Sequence, residues 1–180
     1  MQERNKPYIL AVDPGTTESA YVLLNPELKP VAFAKMENEH LIDEAVSQML
    51  VNMTGNVSEQ VDVAIEMVAS YGMPVGKEVF ETCVWIGRFW EQLDKFKNKK
   101  FIYRKDEKLT ICHNPRANDA TIRQALVDRF AYGYPNHGKG TKKNPSVFYG
   151  FSKDCWQAMA VGVTYHDKYL VDLHIEDLPF

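Results

Sequence analysis

Two kinds of apolar pattern alternate along this chain: short unbroken runs that suit buried strands and longer periodic ones that suit helices. Tyr8-Ile-Leu-Ala-Val-Asp13 is a short apolar run closed by an acid and then by Pro14-Gly15-Thr16-Thr17, which reads as a strand and its turn. Residues 19–24 read as a second strand, Asn25-Pro26 as a turn, and residues 31–35 as the third strand of a meander. Leu41, Ile42, Ala45, Val46, Met49 and Leu50 predict an amphipathic helix over residues 38–51, and residues 61–67 form another buried strand with an acid, Glu66, near its end. After the Gly- and Pro-punctuated residues 71–76, a helix is predicted over 77–96, with Val79, Phe80, Cys83, Ile86, Phe89, Trp90 and Leu93 on one broad face. Residues 101–104 and 109–112 suggest short strands, and residues 119–130 a helix with Ile122, Ala125, Leu126 and Val127 inward. Residues 132–145, rich in Gly, Pro, Asn and Lys, read as a loop; a last helix over 152–166 has Ser152 as its N-cap and Trp156, Met159, Ala160 and Val163 at inward spacing.

This order of elements predicts the α/β class, a mixed central sheet flanked by helices in one domain spanning residues 1–180, with 170–180 as a tail. A chain of 180 residues, 45% hydrophobic, is long enough for one substantial core. No stretch approaches the roughly 18 apolar residues of a membrane span, so no membrane partner is expected. The polar start, Met1 to Lys6, lacks a secretory apolar run, which predicts cytoplasmic residence. Cys83, Cys112 and Cys155 are widely separated with no CxxC pair, which excludes a disulfide framework and a structural zinc site.

The net charge of −3 hides an asymmetry. Residues 95–153 carry fourteen basic and four acidic side chains, net +10, while the rest of the chain carries seven basic and twenty acidic. A basic surface on an acidic protein suits a nucleic acid, because each neutralised phosphate releases counterions whatever charges lie elsewhere. Lys105, Lys108, Arg116, Arg123, Lys139, Lys142, Lys143 and Lys153 are the candidate phosphate contacts, and Tyr132, Tyr134 and Tyr149 flank the lysine-rich loop in a way that suits base stacking.

Asp13 and Glu66 each close a central strand, and Asp154 starts the last helix. An acid at the end of an apolar strand costs desolvation unless a metal or donor pairs it. Hard oxygen donors of this kind hold magnesium or manganese, and two such ions would stabilise the attacking water and the leaving oxygen of a phosphodiester displacement. Asp13 before Pro-Gly also has a plainer role as a turn starter, and Asp154 as an acid favoured in a first helical turn.

Val12-Asp13-Pro14-Gly15-Thr16, then Ala64-Ile65-Glu66, then Asp154-Cys-Trp-Gln157-Ala-Met-Ala160-Val resemble, in order and spacing, the motifs of RuvC-like Holliday junction resolvases of the ribonuclease H-like superfamily. The resemblance implies a ribonuclease H-like fold and a homodimeric, magnesium-dependent endonuclease that nicks opposing strands of four-way DNA junctions, acting at the nucleoid or in a virus-infected cell. It also implies that Asp13, Glu66 and Asp154 are catalytic metal ligands. The family pattern has a further acid where this chain has Gln157, which implies either that Asp154 reaches the metal from one turn earlier while the amide orients water or phosphate, or that one metal site is weakened. Asp119 lies on a different element, so its distance from the other acids is not set by sequence. Two other readings stay open. One is a noncatalytic protein of the same fold that binds branched nucleic acid; the other, since Asp-Pro-Gly-Thr-Thr resembles an actin or hexokinase phosphate loop, is an ATPase domain, although only one such loop is present.

Overall fold

The computed structural model describes residues 6–53 and 55–171. The apolar run of β1 (Tyr8–Asp13) has no polar side chain between Tyr8 and Asp13, so both of its faces need cover and it belongs inside a sheet. It lies third in a five-stranded sheet of order β3-β2-β1-β4-β5. β2 (Glu18–Leu24) and β3 (Pro30–Glu37) form the antiparallel meander expected of their short turns, while β4 (Val61–Met67) and β5 (Lys99–Tyr103) add in parallel on the other side.

Side chains alternate across the sheet, and each face makes its own core. Leu10, Val12, Val63 and Ile65 pack with Leu41, Ala45 and Met49 of α1 (Asn38–Asn52) and with Ile86 and Phe89 of α3 (Lys77–Gln92). A single turn, α2 (Val57–Gln60), leads into β4. The other face, with Ile9, Ala11 and Ala64, is covered by α6 (Lys153–Tyr169), beside which lie α4 (Arg104–Cys112) and α5 (Asp119–Ala131). Small residues let α6 approach closely: a Cβ on Gly162 would stand 2.7 Å from Leu24 Cδ1 and 3.0 Å from Ala11 Cβ. Met159 and Val163 of α6 are wholly buried, each contributing on the order of 2 kcal/mol of apolar transfer.

Residues 109–112, predicted as a strand, are the second half of α4. The Thr110-Ile111 pair looks β-like, but the helix begins directly after β5, where the Asp106 carboxylate accepts from the Tyr103 N–H at 3.4 Å, and carries through. Burial in α4 inverts the apolar expectation, since Leu109 is 40% exposed and Glu107 is fully buried. Phe80, predicted inward on α3, is exposed, as is Val84; Trp85 instead lies half-buried against Phe89. The helix predicted over 77–96 ends at Gln92, and Leu93 and Phe96 enter the core from the turn that follows. The lysine-rich segment holds a 3-10 turn, Pro135–Gly138, and a bridge between Gly140 and Pro145. No described helix is long and apolar enough to cross a membrane. Met1–Asn5 and residues 172–180, most of the expected tail, lie outside the described residues.

Candidate functional site

Parallel pairing sets Val12 of β1 opposite Ile65 of β4, so Asp13 and Glu66 leave the sheet side by side at one edge and on the α6 face. Their carboxyl groups share a hydrogen bond. The turn after Asp13 is held rigidly: Gly15 N–H donates to Ser19 Oγ at 2.9 Å, Ser19 Oγ donates to Asn38 Oδ1 at 2.5 Å, and Asn38 Nδ2 donates back to Gly15 O at 3.0 Å. Gly15 is required by close approach, since a Cβ there would stand 2.3 Å from the Glu18 carbonyl oxygen.

α4 follows β5 without a loop, so its first turn delivers Arg104 and Glu107 to the same edge, and α6 brings Asp154 and Gln157 across from the other side. Lys35 on β3 reaches Asp154 at 2.9 Å and Glu18 at 3.2 Å. The Arg104 guanidinium donates to Glu107, to Asp119 and, at 3.1 Å, to Gln157 Oε1. The three sequence-predicted acids thus reach one edge, Asp154 in the grip of Lys35, and Gln157 joins them through Arg104.

Crowding carboxyls together in a half-buried place makes ionisation costly. Burial first, and then the charges of Glu66, Asp154 and Glu107, hold Asp13 well above the usual carboxylate range. Burial also raises Glu66, against the opposing effects of its hydrogen bond with Asp13 and the charge of Arg104. Glu107 is pushed up to about 8 by burial and by the charge of Glu66, which Arg104 only partly offsets. Burial works against ionisation of Asp119 too, but Arg104 and the Gln157 amide outweigh it and lower Asp119 below its ordinary value. Perturbations of this size gathered at one edge are what a functional site looks like.

Among the described residues no three of these acids stand together tightly enough to hold an ion in this arrangement, where Lys35 and Arg104 supply the balancing positive charge. The donor chemistry nonetheless fits a hard divalent cation. Asp13 and Glu66 are oxygen donors already in contact, and the buried Glu107 Oε1 has no hydrogen-bond partner. For a cation to gather them all, Asp154 and Glu107 would exchange Lys35 and Arg104 for it.

Clefts open around the acids, two of them lined by two or more basic side chains each. One of about 380 Å³ is lined by Arg104, Lys105 and Lys108 together with Tyr71 and Pro115. Another of about 270 Å³ lies between Asp119, Arg123, Lys153, Trp156 and Gln157, and the Arg123 guanidinium stands 5.2 Å from the Trp156 ring centre. A third, about 350 Å³, opens over Asp13, the turn after it, Lys35 and Asp154. Arg116 is exposed, and Lys142 and Lys143 are exposed at a loop tip with Tyr132, Tyr134 and Tyr149 nearby in sequence. Lys139 turns inward and donates to the Phe151 carbonyl at 2.8 Å, pinning the loop instead of offering its charge to solvent. Arg104, Glu107 and Lys35 are site residues that periodicity concealed. The one sequence signal for Glu107 was an acid in a place where the helical phase, once α4 is taken as a helix, faces α6.

At the level of sequence no protein-family model matches this chain, and no curated protein does. Among solved structures it is similar to "Thermus thermophilus RuvC structure", with 12% identity, TM-score 0.54 and coverage of 88% of this chain and 92% of that one. It is also similar to "T. thermophilus RuvC in complex with Holliday junction substrate", with 10% identity, TM-score 0.56 and the same coverage. The chain therefore has a RuvC-like fold, the mixed α/β sheet flanked by helices of ribonuclease H-like proteins.

Proposed function

We propose that this chain is a single ribonuclease H-like nuclease domain, a divalent-metal-dependent endonuclease that hydrolyses phosphodiester bonds at four-way DNA junctions. The observation that carries the reading is the contact pair Asp13 and Glu66 at the strand edge of a RuvC-like sheet, flanked by clefts that carry basic side chains. The Holliday junction bound to one of the similar structures supports the choice of branched DNA. Magnesium, for which manganese substitutes, would be held by Asp13, Glu66 and Asp154 and would supply Lewis acidity and a nucleophilic water at neutral pH. Arg123 and Lys153 bind backbone phosphate beside the acids, Lys105, Lys108 and Arg116 hold a junction arm, and the loop carrying Lys142 and Lys143 holds another. Gln157, held by Arg104, orients the scissile phosphate or the water. Hydrolysis leaves a 5′-phosphate and a 3′-hydroxyl without a covalent intermediate.

Symmetric nicking needs two sites, and the exposed Phe80 and Val84 on α3 offer an apolar stripe for a second copy. With this function goes the reading that the protein acts in the cytoplasm, at the nucleoid or in a virus-infected cell. The noncatalytic reading draws on Gln157, an amide where the resemblance expects an acid.

The test is cleavage of end-labelled four-way junction, linear duplex and RNA–DNA hybrid with magnesium, manganese or EDTA. Paired, metal-dependent nicks confined to the junction are expected, with Asp13→Asn binding the junction and leaving it whole. Tight binding without cuts in any metal would establish the noncatalytic binder, and cleavage of the hybrid alone would move the activity to RNA.

A further inference from the structure

Glu107 belongs to none of the sequence motifs, yet it is the most deeply enclosed carboxyl at the strand edge. Its Oε2 accepts from Arg104, while its Oε1 is buried without a hydrogen-bond partner. A carboxyl oxygen enclosed in this way costs folding free energy unless something binds it, so native proteins keep few of them. The charge of Glu66 acts on Glu107, and that of Glu107 acts on Asp13, so all three share one electrostatic site. Across from it on α6, Gln157 is neutral and brings no anionic charge to that side.

Arg104 is held by more than Glu107. Its second nitrogen already donates to Asp119 and to Gln157 Oε1, so the guanidinium keeps partners when Glu107 turns away. Building on the nuclease reading above, we propose that Glu107 is a further ligand of the divalent cation, supplying from α4 the negative charge that Gln157 does not supply from α6. Arg104 is then its internal counter-ion, exchanged for the cation on binding.

The experiment is calorimetric titration of the full-length protein with Mn²⁺, without DNA, for wild type, Asp13→Asn, Glu107→Gln, Glu107→Asp and the double variant Glu107→Gln/Gln157→Asp. Glu107→Gln should weaken Mn²⁺ binding by about tenfold or more, the scale on which tuning groups at metal sites act. The Glu107→Asp variant should lose less, and Gln157→Asp should restore affinity in the Glu107→Gln background. A Glu107→Gln protein that binds Mn²⁺ like wild type while Asp13→Asn does not would overturn this inference and leave the nuclease reading standing. If Asp13→Asn too binds like wild type, both are overturned. Should Glu107→Gln fail to melt cooperatively, the wild-type side-chain carboxyl ¹³C resonance of Glu107 decides: a shift on adding Mg²⁺ supports ligation, and a fixed resonance refutes it.

Discussion

Asp62 and Glu66 lie four residues apart on β4 and on the same face of the sheet, yet their surroundings differ in kind. Asp62, fully buried, accepts from Asn98 Nδ2 at 2.8 Å and from the Tyr165 hydroxyl at 3.0 Å, a donor for each oxygen. Glu66 meets another carboxyl, Asp13, and its charge acts on Glu107, a third acid with an unpartnered oxygen. The first arrangement is complete as it stands and ties α6 to the sheet. The second leaves a buried carboxyl oxygen without a donor and sets carboxyl against carboxyl, so it gains most from binding something. A buried acid is therefore informative through what it lacks, since burial alone is common to both ends of the strand.

The sharpest way to break this contrast is to neutralise one acid at each end. Glu66→Gln should reduce junction cleavage on the order of a thousandfold or more, with junction binding nearly unchanged. Asp62→Asn should leave the rate within about twofold; an equal fall in cleavage for both variants would erase the distinction.

Stability against pH separates the two ends next. Glu107 has a folded-state pKa of about 8 against an ordinary 4.5, so between those values the native state holds more protons than the unfolded one. The contribution of Glu107 to stability should therefore fall as pH rises from about 5 to 8, by up to a few kcal/mol in EDTA. Asp13 and Glu66, also raised, add slope of the same sign, so Glu107→Gln should make the slope shallower without abolishing it, as read from thermal melts across that range. A smaller effect is expected at the other end: Asp62→Ala, which removes the shared acceptor of Asn98 and Tyr165, should cost about 1–3 kcal/mol at neutral pH.

The smallest effect belongs to the periphery. Replacing Lys142 and Lys143 should flatten the dependence of log affinity on log salt by roughly 2, about 0.9 for each DNA phosphate that is no longer neutralised. Lys139→Ala should change loop order more than the salt slope, because its ammonium is already held by the Phe151 carbonyl.

Periodicity and punctuation alone determined much of this molecule. The strands at residues 8–13 and 61–67, the helix cap at Ser152 and the inward residues of α6 follow from patterns that span only a few positions. The same local logic flagged Asp13 and Glu66, because an acid closing an apolar strand stands out against its neighbours. It did not reach α4, where Leu109 faces solvent and Glu107 faces the core, nor Phe80, left exposed on α3. Those positions depend on which neighbour packs above them. Lys35 from β3, Arg104 from α4 and Asp119 from α5 come together only because the parallel register of β1, β4 and β5 sets their ends at one edge and α6 closes across it. Charge, burial and hydrogen-bond satisfaction are properties of that assembled edge. The chain's pattern specifies each element, and only the packing of one element on another decides which acid is satisfied and which is left wanting a cation.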